Sequence, residues 1–286
     1  MNNQDEHLVS TPGMLAYSGL AIAFLITFFP VMKNLFQTWL TSDDNSHGLL
    51  ILPLSLYIVW NHRHAIQKAK IIPGRGGMFW VTTATLLYLF GHLASILTVG
   101  YLSFVLTIWA VVWSLYGKEI FRVLCFPMVF LLLMIPVPSQ FYSMATIPLQ
   151  LIVTKYSALI ISLCDISVLR EGNVLHLPHQ SLQVVQACSG LRSLMALVTL
   201  CAIFAYLTLT SNLLRSILVV SSIPAAIIVN IVRVVSMVLA FQLWNLDLSK
   251  GLAHTIFGVG IFFLALMIII LFRGILAKWD VPSTAA

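Results

Sequence analysis

Charge is the scarcest commodity in this chain. Only 8% of its 286 residues are Asp, Glu, Lys or Arg, against 60% hydrophobic residues and a mean hydropathy of +0.99. Soluble domains carry about 25% charged residues, so a soluble globular protein is excluded. Cysteine is also sparse. Its four copies, at 125, 164, 188 and 201, form no Cys-x-x-Cys pair and no Cys/His ligand spacing, which argues against a zinc centre or a disulfide scaffold. No metal or other cofactor is expected. No internal repeat or low-complexity tract occurs, which removes solenoids and propellers. The opening MNNQDEHLVSTPG has neither a basic n-region nor a small-residue cleavage site, so the first apolar run reads as an uncleaved anchor. A net charge of +6 would suggest nucleic acid in a soluble protein. Here most Lys and Arg fall in short loops, where they act as topology signals, and no nucleic-acid partner is expected.

What remains is a series of apolar runs from residue 14 to residue 276, each near the roughly 20 residues that cross a bilayer. The expected fold is all-α, a polytopic membrane bundle of about eight transmembrane helices in contact with lipid. Arg63, Lys68, Lys70, Arg75, Lys118, Arg122, Arg215, Arg273 and Lys278 account for nine of the fifteen basic residues. Placing them in the cytoplasm requires spans near 14–38, 48–61, 78–98, 100–117, 122–138, 190–212, 215–243 and 252–273. Residues 1–13 and 277–286 then become cytoplasmic tails around one domain, 14–276. The stretch 141–168 is apolar but carries Lys155 and follows the breaker IPVPS. It reads as an interfacial or re-entrant helix on the outer face. Residues 168–186 alternate like strands around a turn at Glu171-Gly172-Asn173, which gives a small extracytoplasmic hairpin-like loop.

Polar residues at helix mouths carry the chemistry. Cys125, Cys164 and Cys201 lie in apolar runs and read as small core residues. Cys188 instead follows a polar loop and opens a helix, where unpaired N–H groups favour the thiolate. Asn230 and Arg233 interrupt an apolar span three residues apart and share a helix face. An intramembrane Arg normally faces the bundle interior or a water-filled cavity, although it can also snorkel to the headgroups. His254 sits just inside the last span. Counting along helices from Arg215 and Arg273 puts Arg233 and His254 roughly 27–28 Å from the basic side, with Cys188 at or just above them. A thiol, a guanidinium and an imidazole at one depth suit acyl transfer. The thiolate attacks, His254 serves as acid and base, and Arg233 stabilises an oxyanion with help from the N–H groups of Ser189 and Gly190. Arg192, one turn beyond Cys188, competes for the cation's role. Asp43, Asp44 and His47 form a second polar cluster, read as capping and loop solvation. A different class stays open: a transporter or flippase using Arg233, Asn230 and His254 as an anion path. Such a protein has no need of Cys188.

ACSGLR at 187–192, NIVR at 230–233 and AHTIFG at 253–258 resemble the three signature blocks of the exosortase/archaeosortase family of membrane cysteine transpeptidases. TSDDNSHGLLILPLSLYIVW at 41–60 and LREGNVLHLP at 169–178 are similar to two further segments of that family. The resemblance implies a protease or transpeptidase in the bacterial inner membrane with its active site on the periplasmic face. It would recognise exported, membrane-anchored proteins by a C-terminal signal: a Pro-Glu-Pro-like motif, a helix and a basic tail. It would pass them to an acceptor nucleophile of unknown identity, in a system tied to exopolysaccharide production. By motif, Cys188 carries over as nucleophile, Arg233 as the essential cation and His254 as acid/base. Lys155, Arg170 or Lys250 would pair with the Glu of the signal. The chain resembles a short form without the extra C-terminal domain of many bacterial members.

Overall fold

The computed structural model describes residues 14–178, 180–184, 190–248 and 251–280. Its helices are α1 (Met14–Thr41), α2 (Gly48–Asn61), α3 (Arg63–Lys68), α4 (Gly77–Leu93), α5 (Leu97–Val123), α6 (Cys125–Phe130), α7 (Ser139–Leu163), α8 (Gly190–Thr208), α9 (Asn212–Trp244) and α10 (Gly251–Leu276). Strands β1 (Leu169–Glu171), β2 (Val174–Leu177) and β3 (Gln180–Gln183) stand between α7 and α8 in the chain. Among the described residues, five helices are long and apolar enough to cross a membrane: Ser18–Thr41, Leu97–Val123, Gln140–Leu163, Asn212–Trp244 and Gly251–Leu276. The protein is therefore a helical, multi-pass membrane protein, but the structure does not support the expected count of eight spans.

Two expectations change with that count. The 122–138 span is absent as one helix, because Cys125–Met134 is only a short apolar piece that passes from α6 into a 3-10 turn at Leu131–Met134. Proline is the cause. Pro127 cannot donate to the Val123 carbonyl and crowds it, which is where α5 ends. Pro136 forces Ile135 into extended backbone, φ −76 and ψ 122. The segment read as an interfacial or re-entrant helix is α7, which is long and apolar enough to cross a membrane. Lys155 stands exposed on it, so the charge leaves the apolar packing of the helix intact.

The chain divides into two compact units, Met1–Thr41 with Val59–Met128 and Ser42–Ile58 with Val129–Ala286. In the first, Phe24, Phe28, Tyr88 and Phe104 pack ring on ring, with centroids 4.8 to 5.5 Å apart. Helix α5 is broken at Gly117, φ 76 and ψ −165, a left-handed conformation open to glycine. Near the break, the Trp113 carbonyl accepts the Gly74 N–H at 3.1 Å. A Cβ at 117 would collide with the Ile72 carbonyl oxygen. Just beyond, the Glu119 carboxylate accepts the Lys70 N–H at 2.8 Å.

In the second unit, α8, α9 and α10 share a core of Leu197, Cys201, Ala205, Leu218, Ala225, Val229, Ala265 and Ile269. The alanines allow close backbone approach, as membrane helix packing requires. Cys201 is buried there, but Cys125 and Cys164 are exposed, so they do not serve as the small core residues expected. The 169–183 stretch is a three-stranded antiparallel meander, one strand more than the expected hairpin. Leu169 faces His176 and His176 faces Ser181 across the strands. The turn falls at Gly172-Asn173, with Gly172 at φ 60. His47 Nε2 lies 3.2 Å from the Leu133 carbonyl. Burial pushes its pKa below the ordinary imidazole value.

Candidate active site

Helix α9 is 33 residues long, about 50 Å, well beyond the roughly 30 Å of bilayer hydrocarbon. Its C-terminal half carries Asn230 and Arg233. The Nη2 of Arg233 lies 3.3 Å from Nδ1 and 3.2 Å from Nε2 of His254 on α10. Being equidistant from both ring nitrogens, it can donate to either neutral tautomer of the imidazole. The guanidinium also lies over Gly258, one turn after His254, where a Cβ would meet Nη2 at 3.6 Å. Arg233 Nε is buried with no acceptor among the described residues. The charges that act on His254 are Arg233 and Asp247, of opposite sign.

Asn230 stands where four helices meet. It lines a cavity of about 20 Å³ with Leu197 of α8, Arg233 of α9, and Phe262 and Ala265 of α10. It also lines a second cavity of about 20 Å³ with Thr146 and Gln150 of α7 and Leu194 of α8. Each is the size of one water molecule.

The sheet is joined to this end of α9. Leu175, Leu182 and Val184 are buried against Val234, Met237 and Val238 of α9 and Val153 and Ile161 of α7, with Phe257 of α10 packed alongside. Val234 follows Arg233 directly, and Phe257 lies three residues after His254. Val184 also donates its N–H to the Asn173 carbonyl at 3.0 Å. Val184, four residues before Cys188, is thus anchored against Val234, the residue that follows Arg233. On the exposed face, His176 lies 2.8 Å from Ser181 Oγ and 3.2 Å from Glu171 Oε2, bracing all three strands.

Among the residues singled out in the sequence, Arg233, His254 and Asn230 come together. Gly190 opens α8. Cys188, Ser189 and Lys250 lie outside the described residues, as does the side chain of Arg192. Arg170 reaches from β1 to the Leu151 carbonyl of α7 at 3.4 Å, one turn before Lys155, so these two exposed cations share one side of α7. Sequence reasoning passed over Gly258, Phe257 and Asp247. The first two were inside the AHTIFG block, and Asp247 was the one acid in the loop before it. Gln150 and Thr146 were missed because α7 was set apart from the bundle.

The transmembrane exosortase family model matches residues 39–271 of the chain. No curated protein and no solved structure matches it.

Proposed function

Because the chain belongs to the transmembrane exosortase family, we propose that it is a membrane-embedded cysteine transpeptidase or protease that removes a C-terminal sorting signal from exported proteins. The observation that carries this reading is the contact between Arg233 and His254, with the sheet before Cys188 packed against the same stretch of α9. The Cys188 thiolate attacks the scissile carbonyl, and Arg233 with the N–H groups of Ser189 and Gly190 holds the oxyanion. His254 gives a proton to the departing amine as the C–N bond breaks, which leaves a thioester. It then takes a proton from the acceptor, whose attack releases Cys188. Arg192 is a second cation within one turn of the thiol.

The substrate arrives by lateral diffusion, its own helix beside the enzyme and its Pro-Glu-Pro-like motif at the outer boundary of the inner membrane. Arg170 and Lys155 suit the acid of that motif, with Lys250 nearby in sequence to His254. A crossing by α7 in place of 122–138 leaves every later loop on the side first assigned to it. The transport reading is less well supported. The cavities at Asn230 and Arg233 hold about one water each and, among the described residues, do not amount to an ion path.

Cys188→Ala is the direct test. The variant is expected to insert and fold normally while a co-expressed substrate keeps its C-terminal tail, read by mass spectrometry of the mature protein. Tail removal at the wild-type rate would reject the transpeptidase reading.

A further inference from the structure

The first unit contains a groove that the proposed chemistry does not use. Between α4 and α5 lies a cavity of about 510 Å³, lined by Trp80, Leu87, Leu106, Trp109, Trp113 and Phe121. That volume is within the roughly 300–1,000 Å³ of small-molecule sites, yet its walls are almost wholly apolar. Trp80 is 55% exposed at its edge, so the groove opens sideways. Helix α5 is of membrane length and α4 is a shorter apolar helix, so the medium beside the groove is lipid.

One end of the groove is strongly cationic. The Trp113 indole N–H donates to the Arg75 carbonyl at 3.4 Å, and its ring meets Phe121 edge to face at 5.3 Å. Arg75 and Arg122, the neighbour of Phe121, therefore flank the same mouth, and Lys118 stands one turn before Arg122 on α5. All three are exposed. Glu119, the acid between them, is engaged with the Lys70 N–H. The rim is held in place rather than loose, because Gly74 donates its N–H to the Trp113 carbonyl.

We infer that this groove is a binding site for one anionic phospholipid, with an acyl chain along the tryptophans and the phosphate against Arg75, Lys118 and Arg122. Tryptophan at the level of the headgroups and basic side chains beside it are the chemistry of lipid recognition between transmembrane helices. The charge also excludes a competing occupant. A substrate helix that ends in a basic cluster would meet like charge at this mouth.

The test is native mass spectrometry of the full-length protein, purified in mild detergent and supplied with phosphatidylglycerol, cardiolipin, phosphatidylethanolamine or phosphatidylcholine. One anionic lipid should stay bound per chain, with the zwitterionic lipids lost at lower collision energy. Arg75→Gln with Arg122→Gln should weaken retention roughly fivefold per cation removed, the equivalent of about 1 kcal/mol for each basic group beside an anionic surface. Lys278→Gln, a cation in the other unit, should leave retention unchanged. Thr83→Trp keeps every cation and fills the apolar slot, so it should expel the lipid as well. Equal retention of zwitterionic and anionic lipids would overturn the inference. So would retention that survives Thr83→Trp and is competed away by inorganic phosphate, which would show an anion on a basic surface and no acyl chain in the groove.

Discussion

Helix α9 carries an arginine near each end, and the two are treated in opposite ways. At the start, each of the three nitrogens of Arg215 is hydrogen-bonded. Its Nε donates to the Leu209 carbonyl at 2.8 Å, Nη1 to Asn212 Oδ1 at 3.0 Å and Nη2 to the Tyr206 carbonyl at 3.3 Å, while its plane lies 4.7 Å from the Tyr206 ring centre. Arg273 adds a bond to the Thr208 carbonyl at 2.9 Å. Together they satisfy carbonyls that α8 leaves unpaired at its C-terminus. Asp280 completes the clasp by accepting the N–H groups of Thr210 and Ser211 and the Thr210 hydroxyl, at 2.7 to 3.0 Å. Among the described residues, Arg233 caps no carbonyl. Its partner is an imidazole on another helix, and its Nε is left without an acceptor among the described residues. An arginine that closes a helix end is spent on structure. One that faces a titratable group with donors to spare has capacity for a ligand.

The largest expected effect breaks this contrast at Arg233. Arg233→Ala should lower substrate processing by about 10²–10³-fold, the cost of one oxyanion donor, with melting temperature little changed. Arg233→Lys keeps the charge but not the planar fork. It should retain reactivity of Cys188 toward small alkylating agents and lose most processing. Full processing by the lysine variant would reduce Arg233 to a point charge.

Arg215→Ala should do the reverse. Hydrogen bonds from charged groups contribute about 1.5–3 kcal/mol each when buried, and partial exposure here reduces the total to about 2 kcal/mol. The expected result is a lower melting temperature with normal processing by the protein that remains folded. A loss of processing at full stability would place Arg215 in the reaction and end the distinction between the two arginines.

Asp280 sharpens the same point through pH. The Thr210 N–H bonds hold its carboxyl below the ordinary value of 3.8, and Arg215 adds to the effect. A depressed folded pKa means that this contribution is complete above about pH 3.8 and is lost as the pH falls through the lower folded value. Thermal melts of the wild type should therefore fall faster on acidification over that window than melts of Asp280→Asn. Parallel curves would show that the clasp adds nothing. The smallest effect belongs to Gly258→Ala. A Cβ there makes ordinary contact with Arg233 at 3.6 Å, so processing should persist. Stability should rise by up to about 1 kcal/mol, as for other glycines replaced within helices. Loss of processing would mean that the guanidinium comes closer to α10 during turnover than it does at rest.

The sequence made the helices legible through apolar length, and it brought Arg233 and His254 to one depth by counting residues from the basic loops. It failed where hydropathy and backbone chemistry disagree. Residues 122–138 are apolar enough to span, but Pro127, Pro136 and Pro138 each remove a helical bond or forbid the preceding residue its helical conformation. For 141–168 the helix was legible, but its membrane length was discounted. Lys155 was weighed as a cost to burial, yet on an exposed helix face a lysine costs little. The third strand was illegible because QSLQ, residues 180–183, has only one apolar residue, Leu182, to mark an inward face. What makes it a strand is distant: Leu182 packs against Val234 and Met237.

That last contact has a consequence for how the protein is made. The sheet emerges from the ribosome before α8 and α9, and until the second half of α9 has been synthesised its inner face has only Val153 and Ile161 of α7 to pack on. A three-stranded meander with strands of three and four residues is too small to hold itself together in water. The sheet therefore completes its packing only when Val234, Met237 and Val238 arrive, bringing Arg233 with them. A half-made chain cannot assemble the pair of helices that the proposed chemistry needs.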